Sequence, residues 1–213
     1  MRNQKAPIAV EGYPFIAVAA GLTGLFFFIS WAIPAAVAFA ATLFIAFFFR
    51  NPKRTIPHNK KAILAPADGV VIYLGSAREA HLGCEMTKIS IFMSVFNVHV
   101  NRAPLTGTVV DRFYVKGKFL DVRDERSTFE NEQNGLIIET LQGVKVVVVQ
   151  VAGLIARRIV CYPAIGSRLE RGQIYGLIRF GSRLDVFLPK EAVVGLSLGD
   201  RTVAGETVLG MLP

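Results

Sequence analysis

From Pro14 to Phe49 the chain runs for 36 residues without one charged side chain: PFIAVAAGLTGLFFFISWAIPAAVAFAATLFIAFFF. About 20 apolar residues at about 1.5 Å each span a bilayer as helix, so this run is too long for one span. Pro34 breaks it, with Ser30 and Trp31 just before. The residue before a proline is pushed out of the helical region, and proline is welcome in a first turn. The run therefore predicts two short helices, about 15–30 and 34–49, forming a hairpin. A buried helix pair in a soluble core would need a polar face that this run lacks. A cleaved signal peptide fits poorly, because the segment is long and no clear cleavage site follows. A single tilted or re-entrant segment is the remaining alternative.

Charge is distributed to match. Residues 1–61 hold seven Lys/Arg and one acid, Glu11, whereas residues 62–213 hold 17 basic and 15 acidic residues. The basic excess flanks the apolar run on both sides. Positive flanks favour both termini on the cytoplasmic face of the cell membrane, and they attract anionic headgroups. The near balance after residue 61 argues against a nucleic-acid partner. Hydrophobic residues make up 52% and charged residues 19%, which excludes a disordered chain. Two cysteines, Cys84 and Cys161, exclude a disulfide scaffold and fit a reducing compartment, where core positions are expected for both.

After the basic linker the texture changes to short apolar runs between glycines and polar turns. Strands are predicted at 69–74, 88–93, 107–115, 135–140, 144–151, 174–180 and 183–188. Residues 121–134 read as a mobile loop, and a short helix is expected near 152–161. The expected organisation is a membrane-associated hairpin over 1–50, a linker over 51–61, and one domain over 62–213. The fold class is mainly β (α+β). The closing stretch, RLDVFLPKEAVVGLSLGDRTVAGETVLG, resembles in rhythm the flattened barrel of biotinyl and lipoyl carrier domains. Lys190 after Pro189 does not match the modifiable lysine of those carriers.

No GxGxxG, GxxxxGK[ST], HExxH or CxxC occurs. Of three histidines, His58 lies in the linker and His81 in a polar loop. His99 differs, because SVFNVHVNRAP follows directly on an apolar strand. Asp68, in APADGVV, has turn chemistry as its plainest reading. Gly-Ser pairs occur at 75–76, 166–167 and 181–182. The third interrupts two strand-like runs, where a glycine marks a bulge or a close backbone approach. A strained Gly-Ser bond is also where a serine hydroxyl can attack the preceding carbonyl.

Together PADG, NVHVNRAP, ENEQNG and RFGSRLDVFLP resemble, in order and spacing, the phosphatidylserine decarboxylase family, in its short bacterial and archaeal branch. The resemblance implies a proenzyme that cleaves itself between Gly181 and Ser182. The products would be a β chain of residues 1–181 and an α chain of residues 182–213, the latter beginning with a pyruvoyl group made from Ser182. That ketone would form a Schiff base with the substrate amine and act as the electron sink that pyridoxal phosphate, for which the chain has no obvious site, supplies elsewhere. No metal is implied. Ser182 would be nucleophile and pyruvoyl precursor. His99 would be its general base and a later proton donor, and Asp68 would orient His99. Many members carry a second histidine three residues after the first; here that position is Arg102, a candidate for holding phosphate or carboxylate. Gln133 departs from the family's NERN-like pattern, so the ENEQNG segment carries no assigned role. The implied substrate is phosphatidylserine in an anionic membrane, the product phosphatidylethanolamine, and the assembly a homo-oligomer. Rival readings are a pyruvoyl decarboxylase of a free amino acid, a non-enzymatic membrane-tethered carrier-like module, and cleavage at Gly166-Ser167.

Overall fold

A computed structural model describes residues 4–124, 126–154, 158–179 and 182–212. The chain divides into two compact units, Met1–Lys53 and Arg54–Pro213. Among the described residues strand accounts for 39% and helix for 20%, so the protein is mainly β with an N-terminal apolar helical hairpin.

In the first unit α1 (Tyr13–Phe28) and α2 (Ala32–Phe48) are joined by a turn in which Ser30 has a φ of 60°. Pro34 sits in the first turn of α2, where its missing N–H costs nothing. The two threonine hydroxyls within the helices are internally satisfied. Thr23 donates to the Ala19 carbonyl and Thr42 to the Ala38 carbonyl. Large apolar side chains point outward on all sides, with Phe27, Phe28 and Ile33 at least 80% exposed. The helical stretch Val10–Phe28 is long and apolar enough to cross a membrane, and Ala32–Phe48 is shorter.

In the second unit, strands with alternating apolar residues assemble into an eight-stranded antiparallel sheet. They are β2 (Gly69–Glu79), β3 (Cys84–Met93), β5 (Gly107–Val115), β6 (Gln133–Glu139), β7 (Lys145–Ala152), β9 (Arg168–Leu169), β11 (Ser182–Leu188) and β13 (Arg201–Thr202). Their order is β13-β2-β3-β11-β7-β6-β5-β9. Two three-stranded sheets complete the unit: β1 (Ala62–Leu64), β14 (Val208–Met211) and β12 (Val193–Val194), and β4 (Val100–Arg102), β10 (Ile174–Ile178) and β8 (Ile159–Cys161). A period of two sends Leu184, Val186 and Leu188 to the main core, and Phe187 to a smaller cluster with Val147, Val149 and Val151. Strand β11 is therefore buried along its whole length.

Several expectations need correction. Strand 107–115 has the bounds expected, but 69–74 continues to Glu79. Residues 121–134 contain a helical turn, α3 (Ser127–Glu130), and the start of β6. Of the helix expected near 152–161, residues 159–161 form β8, because Cys161 pairs with Gly176 of β10; residues 155–157 lie outside the described residues. Cys84 is exposed and Cys161 only half-buried, so neither is a fully buried core residue. Cys84 stands at the start of a two-stranded ribbon that runs beyond the packed part of the sheet. His81 is not bland. Its ring stacks on Phe113 at 3.4 Å, and Nδ1 lies 3.2 Å from the buried Glu79 carboxylate.

The Phe113 ring also explains Gly135. A Cβ there would come within 1.9 Å of the ring. We expect Gly135→Ala to cost about 1–3 kcal/mol through overpacking, lowering the thermal midpoint by about 2–4 °C per kcal/mol. Thermal denaturation followed by circular dichroism checks this, and shortening the ring with Phe113→Leu in the same chain should restore part of the loss.

Candidate active site

Strand pairing alone fixes the position of Ser182. As the first residue of β11 it lies between Met93 at the end of β3 and Ala152 at the end of β7. Its side chain is completely buried, and its hydroxyl donates to the Met93 sulfur at 3.4 Å. Gly181, the other half of the expected cleavage site, lies outside the described residues.

The smaller sheet β4-β10-β8 carries His99 at its edge. His99 leads into β4, which pairs with β10, and β10 is the strand that leads toward Ser182. The backbone carbonyl of His99 accepts from Ile178 N–H at 3.4 Å. The ring is buried, 2% exposed, and its Nδ1 lies 2.9 Å from the Asn97 carbonyl. A carbonyl only accepts, so Nδ1 carries a proton, and in the neutral ring Nε2 keeps its lone pair. That is the tautomer a general base needs.

Two residues on, Asn101 reaches the same Met93 sulfur at 3.8 Å. It begins a chain of buried amides. Gln150 donates to the Asn101 side-chain oxygen at 2.8 Å, and Asn134 donates to the Gln150 oxygen at 3.2 Å. Arg112 at the outer end donates to Asn134 at 3.3 Å. Such networks rigidify a site when every member is partnered. Sequence reasoning missed Met93, Asn101 and Gln150. One signal was available: Gln150 is the lone polar residue in VVVVQVA.

Asp68 stands in different company. Arg54 donates to both carboxylate oxygens, at 3.0 and 2.8 Å, and the Ala204 backbone N–H donates at 2.8 Å. The structure thus places Asp68 with Arg54, while His99 takes the Asn97 carbonyl. Arg102 joins the Asp68 group. It is buried, donates to the Gly172 carbonyl at 3.1 Å, and interacts electrostatically with Arg54, Asp68 and Glu206. Burial first, then the Arg54 charge, pulls Arg102 below the usual arginine range; Asp68 and Glu206 oppose this. Arg54 was legible only as part of a basic linker.

The opposite face of β11 carries charge too. Arg183 directs all five of its N–H donors to Asp185, the Val122 carbonyl, Ser127 and Thr128. Lys88 completes the pairing of Asp185 at 3.0 Å. The residue after Ser182 is therefore clamped from the far side of the sheet. The rival pair at 166–167 is simpler. Gly166 has a φ of 84°, and the Ser167 hydroxyl accepts from the Ala164 N–H within its own turn. Ordinary turn chemistry accounts for it. Among the described residues no cluster of three or more His, Cys, Asp or Glu could hold a metal.

The profile of the family "Phosphatidylserine decarboxylase" matches residues 41–210. A phosphatidylserine decarboxylase proenzyme of Geotalea uraniireducens is 67% identical over 213 residues, covering both chains completely. Proteins of the same name from Geobacter sulfurreducens and Syntrophotalea carbinolica are 68% and 52% identical, again over the whole of both chains. With matches of that extent, the chain belongs to the phosphatidylserine decarboxylase family, whose members are carboxy-lyases.

Proposed function

We propose that the protein decarboxylates phosphatidylserine to phosphatidylethanolamine, after cutting its own chain between Gly181 and Ser182. The observation that carries the reading is the burial of Ser182 at the head of a central strand, where its hydroxyl shares the Met93 sulfur with Asn101, two residues beyond His99. In the cleavage, His99 Nε2 takes the proton as the Ser182 hydroxyl adds to the Gly181 carbonyl. The Gly181–Ser182 amide bond breaks, an ester bond forms, and the nitrogen of residue 182 becomes an amine. Elimination then removes the Cα proton of residue 182, breaks the Cβ–O bond and frees the Gly181 carboxylate, leaving a dehydroalanine that tautomerises to an imine. Water replaces the nitrogen as ammonia, leaving a ketone at position 182. The hydroxyl is fully buried against a thioether, so the surroundings suit a nucleophile that must meet an acyl group.

The residues present fit a covalent pyruvoyl group. Position 182 is buried, its backbone is paired on both sides, and Arg183 beyond it is held by several hydrogen bonds. When formed, the group supplies a carbonyl that draws electrons from the bond to the departing carboxylate. His99 then stands ready to return a proton to the substrate carbon. Asp68, held by Arg54, would supply the negative charge that steadies a protonated His99. Arg102 is the candidate for the lipid phosphate or carboxylate.

The fold tolerates the cut. The small chain would keep β11 between β3 and β7, β13 on β2, and β14 on β1, so two sheets hold it without a peptide bond. The substrate stays in a bilayer, and the apolar hairpin with its basic flanks gives the enzyme reason to be there, with its catalytic unit on the cytoplasmic side.

Intact mass of the purified protein is the test, run beside release of carbon dioxide from carboxyl-labelled phosphatidylserine. We expect chains ending at Gly181 and beginning at residue 182, the smaller one blocked to Edman degradation, with release of label. One unbroken, inactive chain of 213 residues would overturn the reading.

A further inference from the structure

We propose that the Ser182 end of the large sheet is itself a docking surface for a phospholipid bilayer, formed by Phe96, Tyr114, Phe129 and Leu154 at and beyond the ends of β3, β5 and β7. The proposal rests on the lipid-substrate reading above and says which face of the catalytic unit meets the lipid.

Strand register gathers these loops. Ser182 pairs with Met93 and Ala152, Gln133 with Val151, and Val115 with Gln133. The chain therefore leaves β3, β5 and β7 at the end where Ser182 lies. Each departing segment carries a large apolar side chain into solvent. Phe96 is 67% exposed, Phe129 83% and Leu154 68%, and Tyr114 adds 58% at the end of β5.

The segment bearing Phe129 is not loose. Arg183 grips it at Val122, Ser127 and Thr128. Asn131 ties it to Leu120 and to Ala152, the residue paired with Ser182. A stiffly held aromatic facing outward suits an apolar medium better than water. The charges among these side chains are largely paired with one another: Arg123 with Asp121, Arg126 with Asp124, and Lys118 with Glu130. Paired charges can approach headgroups at less desolvation cost than single ones.

The other end of the sheet also shows an exposed leucine, Leu141 in the turn between β6 and β7. Reach decides between the two ends. Interfacial segments sink about 5–10 Å into the headgroup region. The seven residues of β11, at about 3.3 Å each, put the far end of the sheet about 20 Å from Ser182. A headgroup still joined to its acyl chains reaches residue 182 only if the Ser182 end faces the lipid.

The test uses the full chain with Trp31, its one tryptophan, replaced in Trp31→Phe. Into that background go, singly, Phe129→Trp, Leu154→Trp and, as the far-end probe, Leu141→Trp. Each protein is reconstituted into phosphatidylcholine vesicles with or without brominated acyl chains. We expect bromine to quench Phe129→Trp and Leu154→Trp emission by about half and to leave Leu141→Trp nearly unchanged, as shallow insertion of one end requires. Quenching of Leu141→Trp alone would overturn the proposal. So would absence of quenching at Phe129→Trp and Leu154→Trp with a blue shift that grows with protein density, because the surface would then bind a second copy. The substrate reading fails by a separate sign: no carbon dioxide from phosphatidylserine in detergent micelles, where docking is not needed.

Discussion

Ser182→Ala leaves the protein as one chain of 213 residues and reduces decarboxylation to the uncatalysed background, a loss of about 10⁶-fold or more on the scale of ordinary enzyme accelerations. The size of the effect follows from the chemistry. Without Oγ no ester forms, no elimination occurs, and no ketone arises at position 182. No other side chain offers a ketone to take its place. The fold should survive, because the substitution removes only a hydroxyl that donates to the Met93 sulfur. Stability should change by no more than about 1 kcal/mol, the net worth of a typical internal hydrogen bond. Intact mass, carbon dioxide release and a thermal melt on the same sample separate the outcomes. Ser167→Ala is the control, and it should mature at the parental rate because Ser167 only closes its own turn. A Ser182→Ala chain that still splits between residues 181 and 182 would remove the nucleophile from the scheme.

How much of this was legible in the sequence depended on whether a feature was local. The hairpin was plain, since 36 uncharged residues leave few other uses. Strand 107–115 was plain too, because its ends are marked by Gly107 and by the charged stretch after Val115. The outer half of β2 was not. GSARE has no apolar alternation, and it is a strand because Ser76 pairs with Thr87 and Arg78 with Glu85 across the ribbon. The same cause explains residues 159–161, whose strand exists through Gly176 and its neighbours on β10. Cross-strand pairing is a property of two segments, so a window on one segment misses it.

The site divides in the same way. A glycine-serine pair between two strands and a histidine after an apolar strand were weak signals singly, and only the family resemblance gave Ser182 and His99 their roles. The Asn101–Gln150–Asn134 chain did not show, because its members come from three separate strands. Asp68 is the instructive case. Its sequence context gave only a turn, and the family resemblance gave it a partnership with His99. The structure adds Arg54 as a partner of Asp68, a residue that in the sequence was merely one more positive charge near the membrane.

His99→Ala is expected to slow maturation by about 10²–10⁴-fold, the usual contribution of a positioned general base. The ring tautomer sets the size of the effect. The Asn97 carbonyl fixes the proton on Nδ1, so the remaining ring nitrogen is the one able to receive the Ser182 proton. Removing the ring removes that acceptor and leaves a void in a site only 2% exposed. A void can also damage folding, so the rate alone is not enough. Added imidazole separates the two causes. It can occupy the void and accept a proton, and it should restore cleavage of His99→Ala in a time course followed by gel. Asp68→Asn should slow the same step less, because the Asn97 carbonyl still holds the ring when the carboxylate charge is gone. A His99→Ala chain that matures at the parental rate would move the base elsewhere. A folded chain that stays uncleaved even with imidazole would mean that His99 shapes the site through packing and does not handle the proton.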